Sequence, residues 1–315
     1  MKKALRLLIL LMPISCLAQQ PKVPRDTSFT IHGTLLKERK VRPYIEIASP
    51  LPDKNVKTKT DLTYRTIGNR QILLDIFYPK KIKKYKPAVL LIFGGGWRSG
   101  DKSQNHPMAI ALANKGYVAV SPEYRLSMEA PFPAAVYDLK AAVKWMKANA
   151  KIYGIDTNKI TVLGCSAGGQ LAALLGTTNR NDHFEDTIGQ LKATSTVQAV
   201  IDIDGTLAFH HPESVEGNAA SQWFGGTYAE KPATWIEAAP LEHVDKNTVP
   251  VLFINSSIPR FHAGRDDMIR KMDSLHIYSE VHTLNDTPHP FWFFHPWFDR
   301  MMGYIGDFLE RQFGK

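Results

Sequence analysis

Cysteine is nearly absent from this chain. Its 315 residues include two, Cys16 and Cys165, and Cys16 falls within an N-terminal leader. With Cys165 alone remaining, no internal disulfide can form, whatever the redox state of the compartment. Long hydrophobic runs are missing too: beyond the leader, no stretch is apolar enough to span a bilayer. The Cys/His spacing of a zinc site, the phosphate-binding G-x-x-x-x-G-K-[ST] loop and a G-x-G-x-x-G ahead of a helix do not occur, and Gly94-Gly95-Gly96 lacks the dinucleotide spacing. No metal and no cofactor are therefore expected. No nucleic-acid-binding module is recognisable, so nucleic acid is not an expected partner.

What is present begins with the leader. Lys2, Lys3 and Arg6 form a positive start, Leu7 to Ile14 is apolar apart from Pro13, and Cys16-Leu17-Ala18 resembles a small-residue cleavage site. Residues 1–18 read as a signal peptide, which places the protein in the periplasm or outside the cell. Lipidation of Cys16 is the alternative, against which Pro13 argues. The formal charge of +9 falls to +6 when the three leader cations go. A basic secreted protein suits an acidic polymer, although a solvated basic surface gives the same charge.

Residues 19–60 are polar and rich in Pro and Lys. They read as an extension wrapped over the domain, with a strand at Phe29 to Leu35. From 61 to 315 the pattern is one α/β domain. Leu62 to Arg65 and Gln71 to Tyr78 alternate either side of Gly68-Asn69, which predicts a hairpin. Buried-strand runs follow at Ala88 to Phe93, Tyr117 to Ser121, Ile160 to Leu163, Val197 to Ile203, Val249 to Ile254 and Tyr278 to Leu284. Helical spacing appears over 104–115, 133–149, 167–176, 265–275 and 298–312. This alternation predicts a mostly parallel eight-stranded sheet covered by helices on both faces. Residues 206–248 interrupt it and are expected as a cap-like insertion over the C-terminal edge of the sheet, where ligands bind in such folds.

The strongest chemical signal is Gly164-Cys165-Ser166-Ala167-Gly168. An apolar strand runs into it and a small-residue helix runs out, which puts Ser166 on the sharp turn of a nucleophile elbow. A serine hydroxyl needs a base to remove its proton, and the oxyanion it creates needs preorganised donors. Phe93-Gly94-Gly95-Gly96-Trp97 follows another strand, and its glycines let backbone N–H groups approach a substrate oxygen. Gly95, Gly96 and Ala167 are the candidate oxyanion-hole donors. Cys165, beside the nucleophile, reads as a small buried residue and not as a second nucleophile.

On these residues the chain resembles an α/β-hydrolase of the esterase/lipase group that carries an H-G-G-G-W motif. This hormone-sensitive-lipase-like group includes bacterial acetyl- and feruloyl-carbohydrate esterases. The matching strings also include Ser99-Gly100-Asp101, Tyr124-Arg125-Leu126 and Phe132-Pro133-Ala134-Ala135 with Asp138. Phe93 stands where the group has His. The resemblance implies an α/β-hydrolase fold, ester hydrolysis, and a His-x-Phe after the last strand, which makes His289 the base and leaves His295 to packing or substrate contact. The group's usual acid position, after Val249 to Ile254, holds no carboxylate here. Asp204, at the tip of Val197 to Ile203, is the candidate acid, since some α/β-hydrolases place it there; Asp266 is the alternative.

The substrate is the least constrained reading. Arg98, Arg260 and His262 are candidate partners for a uronate carboxylate, and Trp97 and Trp292 are candidates to stack on sugar faces. The expected partner is an ester-bearing plant polysaccharide such as pectin, carrying acetyl or methyl esters. The competing readings are a serine peptidase or amidase, and an impaired hydrolase fold that binds glycan.

Overall fold

In the computed structural model, residues 25–82, 84–186, 191–215 and 217–314 are described. The signal peptide expected over 1–18, with Cys16, lies outside them. The main sheet is built from β1 (Val56–Ile67), β2 (Arg70–Pro79), β3 (Lys86–Ile92), β4 (Val118–Pro122), β5 (Ile155–Cys165), β6 (Ala199–Ile203), β7 (Val251–Ser256) and β8 (Ser279–Leu284). These eight strands lie in the order β1-β2-β4-β3-β5-β6-β7-β8. The hairpin β1–β2 is antiparallel, β2 runs antiparallel to β4, and every later pairing is parallel. Gly68 turns the hairpin at φ 54°, a conformation open to glycine and costly for most residues.

The central strands bury both faces, which explains their unbroken apolar runs. In β3, Ala88, Leu90 and Ile92 face one core, and Val89 and Leu91 face the other. The first core is roofed by α3 (Ala134–Ala148) and α4 (Ala167–Thr177) through Leu139, Val143, Leu171 and Leu174. The second is roofed by α2 (His106–Asn114) and α8 (Trp297–Phe313) through Leu112, Ile305 and Phe308. Each fully buried Leu or Val here contributes about 1.5–3 kcal/mol of transfer free energy.

The N-terminal extension differs from expectation. Phe29 to Leu35 is not a strand: α1 (Ile31–Glu38) forms instead, because the Thr30 side chain accepts a hydrogen bond from Gly33 N–H and Leu35 is buried. A cap and one apolar anchor outweigh the β-branched and aromatic composition that suggested a strand. The expected boundary at 60/61 falls inside β1, so the sheet starts earlier than the sequence pattern indicated. Within 206–248 two helices form, α5 (Gly217–Phe224) and α6 (Pro232–Glu237). They close over the serine end of the sheet, where Trp223 stacks on Trp97 at 4.8 Å and Gln170 Nε2 donates to Ala238 O at 2.8 Å.

Candidate active site

The site grows from the ends of parallel strands. Strand β5 stops at Cys165, helix α4 starts at Ala167, and Ser166 between them takes φ 56° and ψ −123°. A side-chain-bearing residue pays about 1–3 kcal/mol for such a conformation. The flanking sequence makes it attainable: a Cβ on Gly164 would lie 1.9 Å from Gly168 O. The turn is sewn to the next strand, since Ser166 N–H donates to Ile203 O at 2.8 Å.

That bond brings the serine beside the end of β6, where Asp204 follows Ile203. His289, on the loop after β8, sits between them. Its Nε2 is 2.9 Å from Ser166 Oγ and its Nδ1 is 3.0 Å from Asp204 Oδ2. The second carboxylate oxygen of Asp204 accepts Ser256 N–H at 2.8 Å. The end of β7, where the sequence lacks the expected carboxylate, thus supplies a backbone donor to a carboxylate from the neighbouring strand. The Asp204 side chain is fully buried, and this pairing meets the demand of a buried carboxylate for partners.

The opposite side of the serine is formed by the loop after β3. Gly94 packs so closely that a Cβ there would meet Cys165 O at 2.6 Å and Ser166 Cβ at 3.0 Å. The loop is pinned at both ends: Tyr124 Oη donates to Phe93 O at 2.8 Å, and Ser99 Oγ and N–H both donate to Gly95 O. Phe93 stacks on Tyr124 at 4.4 Å, which gives the residue that replaces His a packing role. Gly95 and Gly96 line the wide cleft over Ser166, and Ala167 lines a second, narrower one.

The two clefts have volumes of about 670 and 220 Å³. Ser166, Gly96, Arg260 and Phe261 border both. Phe261 stacks on the His289 imidazole at 3.4 Å and 12°, while Trp292 meets it edge-on at 5.1 Å. Phe261 was not legible in the sequence, since a lone aromatic in a loop carries no periodic signal. The Arg260 guanidinium lies 4.4 Å from the Phe261 ring centre.

Other expected site residues fall elsewhere. Asp266 is exposed at the start of α7 (Arg265–Ser274) and bonds Arg265 Nε at 2.8 Å, not His289. Its place in the first turn suits helix-dipole complementation. Arg98 pairs with Asp26 at 2.8 Å and lines neither cleft. His262 is buried and likewise lines neither; burial, then Arg265, holds its imidazole below the ordinary histidine value. Trp97 borders the narrow cleft but is mostly wall, its Nε1–H donating to Gln170 Oε1 at 2.9 Å. His295 bonds Asp299 at 2.7 Å, away from the serine.

Two buried groups lie under the site. The Cys165 thiol is pushed far above its usual value, by burial first and by Asp202 and Asp204 next, which leaves it a poor nucleophile. Asp202 is fully buried, and neither of its oxygens makes a hydrogen bond of good geometry. Burial and the neighbouring Asp204 carboxylate push its carboxyl well above the ordinary range.

A serine, an imidazole and a buried carboxylate in hydrogen-bond series, beside a glycine loop, form the arrangement that carries nucleophilic acyl transfer on unrelated folds. The comparisons fit this geometry. The chain is 32% identical over 193 residues to esterase LipC of Mycobacterium tuberculosis, covering 59% of this chain and 47% of that protein. With esterase LipQ of the same organism the identity is 26% over 234 residues, 71% of this chain and 53% of the other. The chain spans about half the length of these curated relatives. Among solved structures it is similar to a truncated form of carbohydrate esterase from gut microbiota, with TM-score 0.71 and 26% identity, covering 84% of this chain and 99% of that one. It is also similar to a bifunctional GH43-CE of Bacteroides eggerthii, with TM-score 0.69 and 25% identity, covering 82% and 38%. The fold is that of the α/β-hydrolases. The family model described as BD-FAE matches residues 74–280.

Proposed function

The chain belongs to the BD-FAE family, and on that premise we propose that it is a serine carboxylic-ester hydrolase acting on an acidic plant polysaccharide such as pectin. The observation that carries the reading is His289 bridging Ser166 Oγ and Asp204 Oδ2 at 2.9 and 3.0 Å. Nε2 of His289 takes the Ser166 proton as Oγ attacks the ester carbonyl. The oxyanion is held by the N–H groups of Ala167 and of Gly95 or Gly96, and Asp204 stabilises the imidazolium. His289 returns the proton to the departing alcohol, leaving an acyl-enzyme on Ser166. Water, deprotonated by His289, then releases the acid and restores the serine.

Secretion follows from the leader over 1–18, and a polymer substrate suits an open cleft of about 670 Å³. Arg260 borders that cleft, and among the described residues no carboxylate pairs with it. A guanidinium so placed favours an anionic sugar. Trp292 supplies an aromatic wall. The test is incubation with methylated pectin, acetylated pectin and acetylated xylan, measuring methanol and acetate. Faster release from either pectin than from xylan supports the reading. Release from xylan alone overturns the acidic polymer while keeping the esterase.

A further inference from the structure

The segment before the sheet does more than wrap the domain. It is fastened on both sides of Ser166. At one end, Asp26 N–H donates to Arg98 O at 3.1 Å and the Asp26 carboxylate pairs with Arg98, on the loop that carries Gly95 and Gly96. At the other, Arg42 bonds the Asp286 carboxylate at 3.2 Å and the Asp286 carbonyl at 3.3 Å, three residues before His289. Further along, Glu46–Ile47 pairs antiparallel with Phe294–His295. Helix α1 is slung between these anchors, and Thr34, Lys37 and Glu38 from it border the wide cleft. Their i, i+3, i+4 spacing puts all three on one face of the helix.

The charges on that face are unequal. Glu38 is taken up by Arg42 at 2.9 Å. Lys37 is exposed, and among the described residues no carboxylate lies within ion-pair reach of it. Arg260, from the loop after β7, borders the same cleft and is also without a carboxylate. Among the described residues, the cleft therefore carries cations from two separate elements that no carboxylate pairs, and the carboxylate that borders it, Glu38, is held by Arg42.

From this we infer that α1 forms a specificity wall of the cleft and that Lys37 binds a carboxylate of an acidic oligosaccharide lying across Ser166. The inference rests on the acidic-polymer reading above and deepens it. A neutral glycan gains nothing from Lys37, whereas a uronate next to the scissile ester offers it a partner, as Arg260 offers one from the other element. Exposed ion contacts of this kind are weak singly and weaken further with salt.

The experiment measures binding, so it does not depend on turnover. The Ser166→Ala protein is titrated by calorimetry with de-esterified hexagalacturonate at low salt, alone and with Lys37→Met, Lys37→Glu or Lys40→Glu added. Lys40 is exposed on the same segment but does not border the cleft, so its reversal reports general electrostatics. Expected are a roughly threefold to fivefold loss of affinity for Lys37→Met and about tenfold for Lys37→Glu. Lys40→Glu should change little, and melting temperatures should match throughout. Unchanged affinity in both Lys37 variants, or equal losses at Lys37 and Lys40, overturns the wall and leaves the acidic-polymer reading standing. Absence of any hexagalacturonate binding to Ser166→Ala overturns both, while ester cleavage is judged separately on nitrophenyl acetate.

Discussion

At the scale of single residues, Asp204 and Asp266 make opposite predictions. Asp204 touches His289 Nδ1 at 3.0 Å, and Asp266 is exposed and held by Arg265. Asp204→Asn should cut kcat on nitrophenyl acetate by up to ~10⁴-fold, because the amide favours the wrong imidazole tautomer. Asp266→Asn should leave kcat within about twofold, and the reverse order rejects Asp204 as the acid. Asp202 makes a second prediction, about stability. Its carboxyl in the folded protein ionises above the ordinary 3.8. Below that value both folded and unfolded chains hold the proton. As pH rises past it the unfolded chain releases the proton first, so stability is lost with rising pH, by about 1.4 kcal/mol per unit until the native carboxyl ionises. Asp202→Asn removes this dependence. In urea melts started at about pH 4, the stability of the variant relative to the parent should rise as the pH increases; a constant difference contradicts a raised Asp202 carboxyl.

At the scale of elements, a buried carboxylate is among the ties that hold helix α3 to its surroundings, beside Lys140, which donates to Thr178 O at 2.8 Å. Asp138 accepts from Arg125 Nε at 2.8 Å and from Arg125 N–H at 2.9 Å, and it pairs with Arg65 on β1 at 3.0 Å. Asp138→Ala leaves two arginines without this partner in a buried setting and should cost about 3–5 kcal/mol in chemical denaturation. A loss below about 1 kcal/mol would mean that the cluster contributes little. Arg125 and Asp138 stood out in the sequence as matching strings, but their mutual contact was visible only in the structure. The same contrast holds for whole elements. The strands and helices of the sheet were legible because burial on two faces writes continuous apolar runs, and one-sided burial writes helical spacing, as in α3. Helix α1 was not legible. It buries Leu35 alone, and its place depends on Arg42 reaching Asp286, 244 positions away in the chain.

At the scale of the whole molecule, the site joins distant parts of the chain. The glycine loop, the serine turn, the tip of β6 and the loop after β8 meet because parallel strands end on one edge. Ser166 and His289 were readable from local strings and chain order, since each lies beside a strand whose pattern is clear. Asp204 was harder, because only the pairing of β6 with β7 places it where Ser256 N–H can serve it. The substrate residues were hardest. Arg98 and His262 have the right chemistry but point into an ion pair and into the interior, whereas Phe261 and Lys37 border the cleft without any sequence signal. Side-chain direction is decided by tertiary contacts that no local pattern encodes.

The central claim is that Ser166 is the nucleophile of an ester hydrolase. It is tested most directly by the rate of nitrophenyl acetate hydrolysis by the intact protein and by Ser166→Ala, with matched melting curves. The account predicts turnover by the intact protein and a loss of at least ~10³-fold in kcat for the variant. Equal rates in the two proteins would contradict it.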